Sequence, residues 1–247
     1  MKRAEVKQIL CDVGVIPAIR VCSAEDAHFA CESVASGGIP IVEITMTVPE
    51  ALDVIAHLIK YHPKMVVGAG TVLTPEMAVK CAEAGAHFIT APGLNLKVVE
   101  FATKSDIASL PGALTPTEVI EAWEAGADFV KVFPCGGIGG DRHIRALKTS
   151  LPQVPLIAAG GVTQQTAMGY ILAGASAIGV GKELIPPDAI AAREAERIQE
   201  LARRFVRFVK EARHKLAPPK GKVAAAATTE TKTDLLKLHK DGGKGGT

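Results

Sequence analysis

Residues 128 to 141, DFVKVFPCGGIGGD, put a lysine inside an apolar run. Phe129, Val130, Val132 and Phe133 read as a buried strand, and Lys131 sits among them. Burying an ammonium is costly unless it is paired or gives up its proton. Two readings follow. Lys131 points outward or pairs with a carboxylate, or it is an amine kept partly neutral by burial and able to attack a carbonyl as a Schiff-base nucleophile. Phe133 and Pro134 follow directly and are expected to help exclude water. Glu43, in the run IVEIT, is the acidic residue at a comparable strand end. A carboxylate near an imine carbon can carry the proton between imine and enamine. Its plainer role is a salt bridge to Lys131 or Arg20, and the two roles are compatible.

The ends of the other apolar runs supply Arg20, Thr45 with Thr47, Thr71, Pro92, Pro111, Gly160 with Gly161, and Gly179 with Gly181. The late turns AAGGV and IGVGKE offer bare backbone N–H groups that can converge on a phosphate, or they are tight turns that need positive φ. CGGIGGD lacks the GK[ST] ending of a P-loop and misses the GxGxxG spacing. It reads as a flexible loop of small residues over the mouth of a site, and Cys135 as a small residue beside it. Cys11, Cys22, Cys31, Cys81 and Cys135 are scattered, odd in number and without a CxxC pair. That argues against a disulfide framework or zinc site and for a reducing cytoplasm. His28, His57, His62, His87 and His143 are dispersed along the chain, so no metal ligand set is expected.

These residues need a scaffold that brings strand ends together. Four helix-to-strand junctions look alike: ASGGIPIVEI, EAGAHFITAP, EAGADFVKVF and LAGASAIGVG. Their glycines, Gly37, Gly85, Gly126 and Gly174, are 48, 41 and 48 residues apart and are expected to form left-handed helix C-caps. Four further runs, VIPAIRV, MVVGAG, IASLPG and PLIAAGG, fall between them. Ser23 with Asp26, and Thr115 with Glu118, look like capping boxes; Thr74-Pro75 and Thr163 look like simple N-caps. Eight alternating units of this kind predict a closed parallel (β/α)8 barrel over residues 1–216, with an N-terminal helix. An open doubly wound sheet is the competing arrangement. A long helix is expected from about Pro187 to Lys215. Residues 217–247 change to Pro, Gly, Lys and Thr and read as a low-complexity, disordered tail. Within it, TDLLKLHK has the pattern of a short amphipathic docking segment.

Composition excludes several classes. A net charge of +2 and 4% aromatic content argue against a nucleic-acid binder. No apolar stretch approaches the ~18 residues of a membrane helix. The N-terminus MKRAEVKQILCDVG lacks the apolar core and cleavage site of a signal peptide.

From about Val15 to Pro186 the chain resembles the KDPG/KHG aldolases, class I enzymes acting on 2-keto-3-deoxy-6-phosphogluconate (KDPG) and 4-hydroxy-2-oxoglutarate (KHG). VEITMTVPEA, VGAGTVLTPE, APGL, LPGALTPTE, FVKVFP and AAGGV match in order and at suitable spacing. The resemblance implies that Lys131 is the Schiff-base lysine and Glu43 the general acid/base. Arg20 and Thr71 would surround the pyruvate portion, with Pro92 and Phe133 as walls. Gly160, Gly161, Gly181 and Lys182 would lie at the phosphate. It further implies a homotrimer, a small 2-keto acid as substrate, and no cofactor or metal, because the iminium draws electrons as a divalent cation would. Three positions depart from the pattern: Thr47 stands where some members carry a carboxylate-binding arginine, Ala159 where many carry threonine, and Lys182 where serine is usual.

Two rival functions remain at this level. Another phosphate-binding barrel, such as a sugar-phosphate epimerase or a thiamin-phosphate synthase, would share the late glycine turns without needing Lys131. A non-catalytic trimeric scaffold would use the tail to bind a partner.

Overall fold

The apolar runs become parallel strands separated by helices in the computed structural model, which describes residues 1–217. Helix α1 (Arg3–Val13) precedes β1 (Val15–Ile19), α2 (Ala24–Ser36), β2 (Ile41–Thr45), α3 (Ala51–Tyr61) and β3 (Val66–Gly70). Next come α4 (Pro75–Glu83), β4 (Phe88–Thr90), α5 (Leu96–Lys104), β5 (Ala108–Leu110) and β6 (Gly112–Ala113). They are followed by α6 (Pro116–Glu124), β7 (Val130–Val132), a 3-10 turn at Gly136–Ile138, α7 (Asp141–Ser150) and β8 (Leu156–Ala159). The last described elements are α8 (Ala167–Leu172), β9 (Ala177–Val180), α9 (Pro187–Ala191) and α10 (Ala195–Leu216). The expected disordered tail and its TDLLKLHK segment lie outside the described residues from position 218 onward.

All strand pairings are parallel, in the order β5-β4-β3-β2-β1-β9-β8-β7-β6. The two ends of that order, β5 and β6, are consecutive pieces of one chain run divided at Pro111, which has no N–H to give. The first piece pairs with β4, Thr90 opposite Leu110; the second pairs with β7, Gly112 opposite Lys131. The Lys131 N–H donates to the Pro111 carbonyl at 2.8 Å, and the Asp128 N–H to the Ser109 carbonyl at 2.9 Å. One strand therefore serves both neighbours and the ring is complete, as the eight-unit pattern predicts. The strands are buried on both faces, which explains their nearly continuous apolar sequences.

Helix α1 closes the N-terminal end of the ring with Val6 and Leu10, both fully buried. Asp128, 2% exposed, anchors it: the carboxylate accepts from Arg3 at 2.8 Å, from Lys7 at 3.0 Å and from the Ser109 N–H at 2.9 Å. Arg213 of α10 donates to the carbonyls of Cys11, Asp12 and Ser176, tying both terminal helices to that end. No helix among the described residues is long and apolar enough to cross a membrane.

Local expectations hold with three corrections. Thr115 and Glu118 form a reciprocal capping box, whereas Ser23 only accepts from the Asp26 N–H at 3.0 Å. Gly85, Gly126 and Gly174 have positive φ, but at the first junction Gly38 takes it and Gly37 lies at φ −78°. Gly37 answers a different need: a Cβ there would meet the Ala202 Cβ at 2.5 Å, where α10 packs on α2. The long C-terminal helix is broken at Arg193, φ +54°. Its guanidinium pairs with Glu25 and Asp26 at 2.8 and 3.1 Å and lies over the Phe29 ring, which offsets the left-handed backbone.

Candidate active site

In β7 the side chains alternate, Val130 and Val132 being fully buried and Lys131 turned to the barrel axis with 13% of its side chain exposed. Its ammonium nitrogen, Nζ, lies 3.5 Å from Glu43 Oε1 and 3.4 Å from Thr90 Oγ1, and 5.7 Å from the centre of the Phe133 ring. Both polar contacts are long for hydrogen bonds. Glu43 comes from β2 and Thr90 from the end of β4, and they are 4% and 1% exposed. Strand β3 makes room for them: a Cβ on Gly70 would strike the Glu43 carboxylate, and one on Gly68 would strike the Phe88 ring beneath. A carboxylate, a hydroxyl and an amine thus meet in an apolar setting, where each strengthens the others.

The group opens into a cavity of about 490 Å³ at the C-terminal ends of the strands. Arg20, Glu43, Lys131, Phe133, Gly160, Gly161, Gly181 and Lys182 line it, as expected. Thr47, Thr71 and Pro92 do not. Thr47 is exposed and its hydroxyl bonds the Thr45 hydroxyl at 2.8 Å, which in turn donates to the Ile19 carbonyl. Thr71 is held at φ +63°, a conformation costly for a β-branched residue, while the next N–H, of Val72, donates to the Thr90 carbonyl at 3.0 Å. Pro92 is exposed, its carbonyl packed against Gly112. Pro134 is exposed as well and does not line the cavity.

At the far end of the cavity the glycine turns face one another. The backbone N–H groups of Gly161, Val162, Gly181 and Lys182 meet no protein acceptor among the described residues. Lys182 stands at this end, with Glu183 beside it. The loop after β7 is tethered to the same turn, the Gly136 N–H donating to the Gly160 carbonyl at 2.8 Å, and it takes no part in the lining. Cys135 is fully buried there, and burial pushes its thiol up, which disfavours the thiolate.

Three site residues give no signal of that role in the sequence: Thr163 and Glu183, which line the cavity, and Thr90, which lies outside the lining and reaches the site through Lys131. Thr163 does cap: its hydroxyl accepts from the Thr166 N–H at 3.3 Å, one turn before α8 begins. The histidines are less dispersed than their spacing suggests, since His28 and His57 meet edge to face at 4.5 Å on the outer helices.

Residues 6–201 match the family model described as KDPG and KHG aldolase. The chain belongs to this family. It is 32% identical to the KHG/KDPG aldolase of Escherichia coli K12 over 209 residues, 84% of this chain and 98% of that one. It is likewise 32% identical to the 2-dehydro-3-deoxy-6-phosphogalactonate aldolase of the same organism, over 80% of this chain and 95% of that one. A solved KDPG aldolase from Legionella pneumophila, with pyruvate captured as a covalent carbinolamine, superposes with a TM-score of 0.75 at 30% identity, covering 80% of this chain and 96% of that one.

Proposed function

We propose that this protein is a class I aldolase that cleaves 2-keto-3-deoxy-6-phosphogluconate to pyruvate and glyceraldehyde 3-phosphate through an imine on Lys131. The observation that carries the reading is the buried Lys131 amine set 3.5 Å from Glu43 at the floor of an open cavity. Through a water, Glu43 takes the third ammonium proton, the one turned to the cavity, and the lone pair freed there adds to the C2 carbonyl. Protonated Glu43 returns its proton to the carbinolamine hydroxyl, which leaves as water and gives the iminium. Glu43, through a water, next removes the C4 hydroxyl proton; the C3–C4 bond breaks, the aldehyde leaves, and the electron pair neutralises the iminium as an enamine. The same carboxyl protonates the enamine at C3, and water releases pyruvate and the lysine.

Charge placement supports the substrate. Arg20 is the cavity cation free to face the 2-keto acid carboxylate, since Thr47 is turned to Thr45. The four open amides and Lys182 suit a phosphate at the other end. The relatives' names also cover 4-hydroxy-2-oxoglutarate and the galactonate epimer, so cleavage rates on all three acids assign the preference. A homotrimer in the cytoplasm completes the reading; sedimentation equilibrium tests the assembly. Incubation with pyruvate and borohydride is expected to add one irreversible pyruvyl group, mapped to Lys131. Lys131→Met should keep the fold while trapping and cleavage both vanish. A pyruvyl group on another lysine, or substantial cleavage by the Met variant, overturns the assignment.

A further inference from the structure

We infer that Thr90 is a positioning residue of the reaction, one that aims the lone pair of Lys131 into the cavity. The inference rests on the Schiff-base reading above and adds a residue to it. Thr90 is 1% exposed at the C-terminal end of β4. Its hydroxyl has a single partner among the described residues, Lys131 Nζ at 3.4 Å. The other fully buried threonine, Thr45, differs: its hydroxyl is occupied by the Ile19 carbonyl and by Thr47. A buried hydroxyl is costly unless bonded, so Thr90 is committed to the amine.

Stereochemistry gives that bond its use. A neutral amine is tetrahedral, with its carbon stem, two N–H bonds and a lone pair. One N–H of Lys131 faces Glu43 Oε1 and the other faces Thr90 Oγ1. With both N–H bonds engaged on the walls, the remaining direction belongs to the lone pair, on the side where Lys131 lines the cavity. Without Thr90 the amine rotates about its stem, and only a fraction of its rotamers presents the lone pair to a carbonyl. Arg20 and Lys182 also face the cavity, but neither forms a hydrogen bond to the amine.

The test compares Thr90→Val, which keeps the shape and loses the hydroxyl, with Thr90→Ser, which keeps the hydroxyl. The readouts are the single-turnover rate of borohydride-trappable imine formation at saturating pyruvate, and kcat and KM for cleavage. A fixed orientation contributes to the rate and not to binding, so Thr90→Val is expected to slow imine formation and kcat about tenfold with KM nearly unchanged, and Thr90→Ser to restore most of the rate. Imine formation in Thr90→Val at the wild-type rate overturns the inference. So does a Ser variant as slow as the Val variant, because packing and not the hydroxyl would then be responsible. If the wild type itself traps no pyruvate, the Schiff-base reading has failed and the inference falls with it. A wild type that traps on Lys131 beside an unimpaired Val variant refutes Thr90 alone.

Discussion

The space that Glu43 occupies is left by β3, where Gly70 omits a side chain opposite the carboxylate. Carboxylate and glycine should then fail in the same way. Glu43→Gln is expected to leave borohydride trapping of pyruvate detectable while slowing hydrogen exchange at the pyruvate methyl by about 10² to 10⁴, the usual contribution of a general acid/base. Gly70→Ala pushes the carboxylate off its place and should show the same split, trapping retained and exchange slowed. Undiminished exchange in Glu43→Gln would remove Glu43 from the mechanism. Lys131 and Glu43 were legible in the sequence because a charge amid valines and isoleucines needs a reason. Thr90 was not, since threonine is an ordinary strand residue and its partner is 41 residues away. Thr47, Thr71 and Pro92 lie at the right strand ends, yet their orientation depends on hydrogen bonds and backbone angles that no spacing encodes.

Helix α6 begins with Thr115, Pro116 and Glu118, and its whole N-terminal geometry could be read from those letters. The Glu118 carboxylate accepts from the Thr115 and Leu114 N–H groups, both at 2.8 Å, and from the Thr115 hydroxyl. The Thr115 N–H, then the Leu114 N–H, hold the Glu118 carboxyl below the usual glutamate range. A carboxyl depressed on folding stabilises fully above its unfolded value, and that stability is lost as pH falls through the folded one. Glu118→Gln should therefore unfold in less urea than the wild type at about pH 7, and the two should converge toward about pH 3. A gap that stays constant in acid would show that the ionised cap contributes nothing. The break between α9 and α10 was illegible for the opposite reason. Arg193 carries no helix-stopping signal, and its left-handed backbone is offset by Glu25 and Asp26 from a distant helix.

At the scale of the molecule, the repeating junctions announced a ring, and Pro111 is where that ring joins itself by serving β4 on one side and β7 on the other. The reacting groups come from β2, β4 and β7, Lys131 being 88 residues from Glu43 and 41 from Thr90. The paired arc that joins them runs from β2 through β3, β4 and the divided β5/β6 strand to β7, more than half of the ring. Helices form within about a microsecond from local contacts, whereas pairings between distant segments must first meet the entropy of closing long loops. Chemical competence is thus a late event in the life of a refolding chain. After dilution from denaturant, the far-ultraviolet helical signal should return first and the capacity to capture pyruvate on Lys131 should lag behind it. Simultaneous recovery of the two would mean that this arc pairs as its helices form. Quenching aliquots with pyruvate and borohydride during refolding therefore counts the molecules in which the arc is assembled.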